Sequence, residues 1–447
     1  MKRLLLLVAA CGLAMAMSVT VVLADEMGVA FTAAKSKLLQ DLRSGNKDIR
    51  AAAATRFREF PTPDAASTLL LQGSITRFPD VRRGCFESLR TFRNSEAVGR
   101  SLLADSLRDL KLDKVEPVTA MRVMVLLEGD DPAVQKLAEQ ALEQAEKTPG
   151  GMLLLAMLID QLAEAADATS LKSLEQLREL PTVSSHPGLK RAMVQALCKF
   201  DDKSAVAKLV ESHALAEGET RADIERRLVQ VSGLKPEERH DWLEWWQQNE
   251  AKFVFPAEKK PEVGLFAKAT TSGNVPAYYG LPLYGSKIVF VIDYSGSMRG
   301  GKLDAAKREL QTAIGNLPDG VRFNIVAFNS AVLPWKKELV PVSPAAKQEA
   351  SEFIYRGSAT ARTASYDALV NGLAQDCDAI YFLTDGAPNG GKIDDPRQIL
   401  SIIGRQNRLR RATINALGIG VGAENGPFDI FLRDLAAQNF GAYRRVD

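Results

Sequence analysis

Histidine and cysteine are scarce in this chain. His186, His213 and His240 are the three histidines in 447 residues, and none lies beyond position 240. The last 200 residues therefore offer nothing for a histidine triad or a histidine-rich zinc site. The four cysteines are too few for a disulfide framework. Cys85, Cys198 and Cys377 stand in apolar surroundings and read as three buried free thiols; an odd number excludes a complete set of disulfides. No charge of one sign dominates. The 57 basic and 55 acidic side chains nearly cancel, so no global field draws in nucleic acid or anionic lipid. Beyond the N-terminus no apolar run is long enough to span a membrane. Apolar residues at 46% and charged residues at 25% are ordinary globular values, which excludes a disordered, collagen-like or polytopic membrane chain. The length implies two or three domains.

The one long apolar run comes first. Lys2 and Arg3 precede the uncharged stretch Leu4 to Ala24, and Val22-Leu23-Ala24 before Asp25 fits a small-residue cleavage site. Residues 1–24 read as a secretory signal peptide outside the fold. The stretch is also long enough to stay as an uncleaved anchor. Val8-Ala9-Ala10-Cys11 resembles a lipobox, although the apolar run continues well past it. Each alternative exports the bulk of the chain, to the periplasm, cell envelope or exterior, and each allows membrane contact through the N-terminal segment alone.

Residues 25–251 are rich in Ala, Leu, Glu, Lys and Arg at helical spacing. Asp48-Ile-Arg-Ala-Ala-Ala-Ala-Thr-Arg-Phe-Arg-Glu-Phe60 aligns with Asp80-Val-Arg-Arg-Gly-Cys-Phe-Glu-Ser-Leu-Arg-Thr-Phe92, a period of 32 residues. In both copies the Asp is read as the helix cap. Weaker copies begin at Asp113 and at Pro187. Helix pairs of this length bury their apolar faces by stacking on neighbours. The pattern resembles HEAT-type repeats, with a plain helical bundle as the alternative. Trp242, Trp245 and Trp246 share one face of the last helix and read as core packing. Residues 252–284, with FPAEKKPEVG and TTSGNVPAYYGLPLYG, break the helical period and read as a linker and lead-in.

From 285 to 447 the pattern alternates. Short apolar runs at 287–293, 322–328, 379–384 and 413–418 read as buried strands, with a last strand at 442–445. Amphipathic helices are expected at 303–317, 343–353, 365–374, 396–406 and 428–438. This order predicts an α/β, doubly wound, mostly parallel sheet, with ligands bound beyond the carboxyl ends of the strands.

Two strand ends are unusual. The first runs into Asp293-Tyr-Ser295-Gly-Ser297-Met, and the third into Leu383-Thr384-Asp385-Gly386. Between them stands Ala361-Arg-Thr363-Ala-Ser-Tyr366-Asp-Ala-Leu369. The D-x-S-x-S phrase, the distant Thr and the T-D-G resemble the von Willebrand factor A (vWA) domain and its metal-ion-dependent adhesion site, MIDAS. Asp293, Ser295, Ser297, Thr363 and Asp385 come from three loops at one end of the sheet. All are hard oxygen donors, suited to Mg²⁺, Mn²⁺ or Ca²⁺ and not to zinc. By this resemblance Ser295, Ser297 and Thr363 coordinate directly, and Asp293 and Asp385 act directly or through water. Mostly neutral ligands leave the cation electron-poor, and a protein partner's Asp or Glu carboxylate completes it. The family usually carries Gly-Gly before the coordinating Thr, and here Ala361-Arg362 stand there. Counting back from Tyr366 selects Thr363, with Thr360 as the alternative.

Other motifs are decoys. Gly296-Ser-Met-Arg-Gly-Gly301-Lys302-Leu303 approaches a phosphate loop, but Leu303 stands where a magnesium-binding Ser or Thr is required, so no nucleotide is expected. Gly418-Ile-Gly420-Val-Gly-Ala423 reads as a strand-to-loop turn. Asp293-Tyr-Ser295 lacks the second Asp of aspartyl phosphatases, and neither Ser295 nor Ser297 sits in a G-x-S-x-G elbow. The expectation is an exported, non-enzymatic binding protein acting through a cation-mediated adhesive contact. The alternative is a cell-envelope scaffold whose helical repeat is the main interface.

Overall fold

The computed structural model describes residues 26–234, 241–256 and 275–446. The expected signal segment 1–24, His240 and much of the expected linker lie outside the described residues. Two compact units divide the chain, Met1–Val183 and Ser184–Asp447.

The first unit is helical. After a helix over residues 26–42 come Lys47–Arg56, Pro63–Ile75, Pro79–Arg90, Glu96–Lys111, Pro117–Leu127, Pro132–Lys147, Gly151–Ala165 and Ala168–Arg178. Proline opens four of them, where its missing N–H costs nothing. The two repeat copies do form helices, but their Asp residues are not the caps. Asn46 caps the first, its side chain accepting the Asp48 amide, and Phe78 takes the cap position of the second without a side-chain bond. Asp48 and Asp80 sit one step inside, where a carboxylate still favours the helix dipole. Asp80 also receives Arg50 Nε at 2.9 Å from the preceding copy. Asp113 lies in a left-handed turn, and the helix there begins at Pro117. The repeat helices approach closely: a Cβ on Gly84 would sit 2.9 Å from Ala54 Cβ, and Ser88 Oγ donates to the Ala54 carbonyl at 2.8 Å. Glu128, fully buried, takes a bidentate pair of 2.7 Å bonds from Arg90, which also reaches Asp167.

The second unit holds the sheet. Its strands are β1 (Ala277–Tyr278), β2 (Leu281–Pro282), β3 (Lys287–Asp293), β4 (Arg322–Phe328), β5 (Val332–Pro334), β6 (Val340–Pro341), β7 (Ala379–Thr384), β8 (Thr413–Ile419) and β9 (Tyr443–Val446). The main sheet runs β5-β4-β3-β7-β8-β9, with β6 also on β4. The β4-β3-β7-β8-β9 pairs are parallel, and β5 and β6 are short antiparallel additions. Alternation along β3 divides the core. Ile288, Phe290 and Ile292 face one layer with the helix Lys302–Gly315; Val289 and Val291 face the other with Ser365–Ala374, Pro396–Arg410 and Pro427–Gln438. Burial on both faces is why these strands are continuous apolar runs. The segment read as linker is in part core: Tyr278, Leu281 and Leu283 are buried in the β3 layer.

Helices Pro187–Leu197, Lys203–His213, Gly218–Ser232 and Trp242–Asn249 belong to this same unit. Trp242 and Trp246 are buried, and Trp245 packs edge-on against Trp242 and Phe253. His186 accepts the Leu189 amide as a cap, and His213 pairs with Glu225. Cys85 is buried, whereas Cys198 and Cys377 are half-buried; among the described residues none of the three forms a disulfide. A Cβ on Gly188 would meet the Leu409 carbonyl at 1.8 Å, so only glycine permits this helix contact. Beside it, Arg191 donates to Asp223 at 2.9 Å, to the Arg411 carbonyl at 2.5 Å and to Thr413 Oγ1 at 2.8 Å, and Thr413 donates to Glu219 at 3.0 Å. This buried cluster ties two of the helices to the start of β8.

Arg191→Ala is expected to cost about 3–5 kcal/mol in chemical denaturation, because buried Glu219 loses its ion-pair partner and Asp223 is left with Arg226. Burial pushes the Glu219 carboxyl up to about 7; Asp223 and Asp378 add to this and Arg191 and Arg226 oppose it. A carboxyl that binds its proton more readily when folded contributes fully below its ordinary value of 4.5, and that contribution is lost as pH rises through about 7. Melting temperatures should therefore fall between about pH 5 and about pH 8 by a component that Glu219→Gln removes.

Candidate functional site

The parallel register Ile292↔Leu383 puts the ends of β3 and β7 side by side. Asp293 closes β3 with no exposure. Its Oδ1 accepts the Ser295 amide at 2.7 Å and its Oδ2 accepts the Thr384 hydroxyl at 2.5 Å. Burial pushes its carboxyl up to about 6 against those hydrogen bonds, with Asp385 adding to the rise. A carboxylate held in this way carries a desolvation cost that a nearby cation would offset.

From Asp293 the chain turns through Gly296–Met298. Ser295 Oγ and Ser297 Oγ lie 3.0 Å apart, and Ser297 Oγ donates to Asp385 Oδ1 at 2.6 Å. Ser295 is buried, Ser297 is exposed, and the Asp385 side chain has no exposure. Gly386 permits the approach: a Cβ there would sit 3.3 Å from Ser297 Oγ and 3.9 Å from Thr363 Oγ1. Thr363 is 1% exposed, and its backbone is clasped by Asn389, whose Oδ1 accepts the Thr363 amide at 2.8 Å and whose own amide donates to the Thr363 carbonyl. Thr360 faces other partners. Its amide donates to the Tyr294 carbonyl, and its hydroxyl accepts from Asn329 Nδ2 at 3.1 Å.

The five residues singled out from the sequence thus lie at one end of the sheet on three loops. Ser295, Ser297 and Asp385 form a hydrogen-bonded series, Asp293 is bound to the Ser295 amide, and Thr363 flanks Gly386. Among the described residues no three His, Cys, Asp or Glu gather at one point. The set is rich in hydroxyls and contains two carboxylates.

Four supporting residues were not assigned a role from the sequence. Thr384 orients Asp293. Asn389 locks the Thr363 loop, and no local pattern marks it. Tyr294 joins the loops, donating its amide to Phe328 and its hydroxyl to Ile354 at 2.7 Å. Lys302 Nζ donates to Asp385 Oδ2 at 2.7 Å, a cation that the glycine pair before it could have flagged.

Ala361 accounts for the departure from Gly-Gly. Its φ is 64°, in the left-handed region, and its carbonyl accepts the Gly296 amide at 3.1 Å. The loop keeps a glycine conformation with alanine in place. Left-handed strain of about 1–2 kcal/mol for alanine, less about 0.4–1 kcal/mol for the added freedom of an unfolded glycine, leaves a net gain of up to about 1.6 kcal/mol for Ala361→Gly. Thermal melts of that variant are expected to shift upward, and a downward shift would remove strain as the reading of this turn.

Comparison with known proteins bears on the same segment. The von Willebrand factor type A domain family matches residues 286–444. The inter-alpha-trypsin inhibitor heavy chain H3 of Bos taurus is 30% identical over 185 residues, covering 37% of this chain and 20% of that protein. Heavy chain H1 of Mesocricetus auratus is 28% identical over 215 residues, covering 45% and 23%. Heavy chain H1 of Homo sapiens is 33% identical over 173 residues, covering 36% and 18%. The chain spans about a fifth of the length of these curated relatives. A solved von Willebrand factor type A structure from Catenulispora acidiphila aligns with a TM-score of 0.31 at 23% identity, over 36% of this chain and 38% of that one. The family match, the strand order and the D-x-S-x-S, Thr and T-D-G elements at one end of the sheet together make residues 286–444 a von Willebrand factor type A domain.

Proposed function

We propose that this domain binds a protein partner through a divalent cation held by Asp293, Ser295, Ser297, Thr363 and Asp385 and completed by a partner's Asp or Glu carboxylate. The observation that carries the reading is the hydroxyl–carboxylate series Ser295–Ser297–Asp385 beside the desolvated Asp293. Two carboxylates and three hydroxyls are hard oxygen donors and fit Mg²⁺, Mn²⁺ or Ca²⁺. Such an ion, when bound, supplies a Lewis-acidic position for an incoming oxygen. The protein's own side chains hold the frame. Thr384 and the Ser295 amide fix Asp293, Asn389 fixes Thr363, and Arg362, exposed on the same loop, adds positive charge at the rim. The proposed role is binding: Ser297 donates to Asp385, but Lys302 takes the other oxygen of that carboxylate, so the donor set reads as a frame for a cation. The matched relatives are named as chains of an inhibitor, which agrees with this reading. Residues 1–24 are assigned to export.

A second reading has its own support. The helices of the first unit form a groove of about 990 Å³ lined in part by Arg82, Arg83, Phe86, Val118, Met121 and Gln161. The Arg50–Asp80 link and the Gly84–Ala54 contact between copies 32 residues apart support a HEAT-like stack. In this reading the groove is the main interface of an envelope scaffold, and the cation only holds the loops.

Calorimetric titration of Mg²⁺ and Mn²⁺ into the whole chain tests the site. Asp293→Ala should abolish binding. Thr363→Ala should weaken it by about tenfold or more, the scale of losing one group around a metal, while Thr360→Ala should leave it nearly unchanged. Equal effects of the two threonine variants would show the ligand assignment to be wrong. Metal binding that survives Asp293→Ala would sink the site itself.

A further inference from the structure

The helix Lys302–Gly315 begins against the usual rules. No side chain caps it, and its first residue is a cation at the positive end of the helix dipole. Gly300 and Gly301 precede it, with φ of 77° and 96°, a conformation that glycine supplies. A start of this kind lowers helix stability, and its structural result is specific. It delivers Lys302 Nζ to Asp385 Oδ2 at 2.7 Å, while Asp385 Oδ1 is taken by Ser297. The Asp385 side chain is fully buried and that of Lys302 is 36% exposed, so the ammonium stands between the carboxylate and solvent. On the other side a Cβ on Gly420 would lie 3.6 Å from Nζ and 3.4 Å from Cε, so the turn after β8 leaves room for the lysine.

The charge count gives this contact a consequence. Asp293 and Asp385 together carry two negative charges, and a divalent cation among them alone would give a neutral centre. Lys302 returns one positive charge, so the loaded centre has a net charge of plus one. We infer that Lys302 sets the ligand specificity of this site: it weakens the hold on the bare cation and makes a carboxylate, rather than a neutral oxygen, the ligand that completes it. The inference rests on the reading of the site as a cation centre. Its physical content is a coupling. Cation and carboxylate each strengthen the binding of the other by the same factor, and Lys302 raises the affinity of the loaded centre for the carboxylate by offsetting the local negative charge that repels it.

The test uses the whole chain with Mn²⁺ as the probe, titrated calorimetrically in sodium chloride and in sodium acetate of equal ionic strength. For the wild type, acetate should tighten Mn²⁺ binding. Lys302→Met should bind Mn²⁺ in chloride about tenfold more tightly, one unit on the scale by which a neighbouring charge shifts a carboxylate equilibrium. It should also lose the acetate enhancement. Lys302→Arg should keep the enhancement, because the charge remains, and Lys302→Gln gives a second neutral variant should the methionine variant fail to fold. Neutral variants that bind Mn²⁺ no more tightly in chloride, or that retain the acetate effect, would overturn the inference. A wild type that binds no Mn²⁺ in either salt would bring down the cation reading beneath it. Asp293→Ala distinguishes the two failures, since it loses Mn²⁺ binding only where that reading holds.

Discussion

A carboxylate taken out of water at the end of a buried strand governs the architecture of this domain. Asp293 belongs to β3, whose apolar faces are covered by helices on both sides. It keeps its place because two donors meet it there, the Ser295 amide and the Thr384 hydroxyl. The second depends on register. With Ile292 opposite Leu383, Thr384 falls beside Asp293 and the next residue, Asp385, reaches Ser297. A slip of one residue between β3 and β7 would turn Thr384 toward the opposite face and leave the carboxylate with half its partners. The strand pairing that builds the core therefore also sets the geometry of the site.

Much of this was legible in the sequence, for identifiable reasons. The central strands are buried on both faces, so they read as unbroken apolar runs, and β3, β4 and β7 match the expected bounds. Asp293, Ser295, Ser297 and Asp385 follow directly from the ends of β3 and β7, whereas Thr363 is selected by counting back from Tyr366. What escaped depends on distance or on competing local signals. Asn389 reaches Thr363 across 26 positions and Lys302 reaches Asp385 across 83, contacts made by loops rather than by any spacing. The hairpin Ala277–Pro282 carries proline and glycine, which mark a linker, although Tyr278 and Leu281 are core residues. The repeat aspartates read as caps, yet Asn46 takes that role in one copy, and in the other Pro79 fixes the helix start so that Asp80 falls inside. Proline's fixed φ decided the second case.

The two ends of the sheet are built from opposite chemistry. At the amino ends of β7 and β8, charge is saturated. Asp378 accepts the Ser286 amide and hydroxyl and the Lys287 amide, and Arg191 spans Asp223, Thr413 and the Arg411 carbonyl. Such a cluster stabilises only while complete, which suits a fixed junction between helices and sheet. At the carboxyl ends, small hydroxyls face one another across a glycine, and the acids are few and deeply set. That arrangement suits a ligand site, since hydroxyl oxygens can exchange a hydrogen bond with each other for one bond to an incoming ion.

Several local choices at the second end work against stability. Ala361 holds a left-handed φ, Gly300 and Gly301 form an unfavourable lead into a helix, and Lys302 places a cation at that helix's positive pole. Asp293 is desolvated, and an added Cβ on Gly357 would lie 1.7 Å from the Tyr294 ring that backs the loop. A sequence selected for stability alone would relieve several of these, because each has a simple remedy: glycine at 361, an acid at 302, an amide at 293. They lie on the two loops that follow β3 and precede the helix Ser365–Ala374, the same loops that carry Ser295, Ser297 and Thr363 of the proposed site. Three of these choices also place an atom of the proposed site. The turn at Ala361 positions Thr363, the glycine pair delivers Lys302 to Asp385, and the desolvated Asp293 carries the charge that a cation would meet.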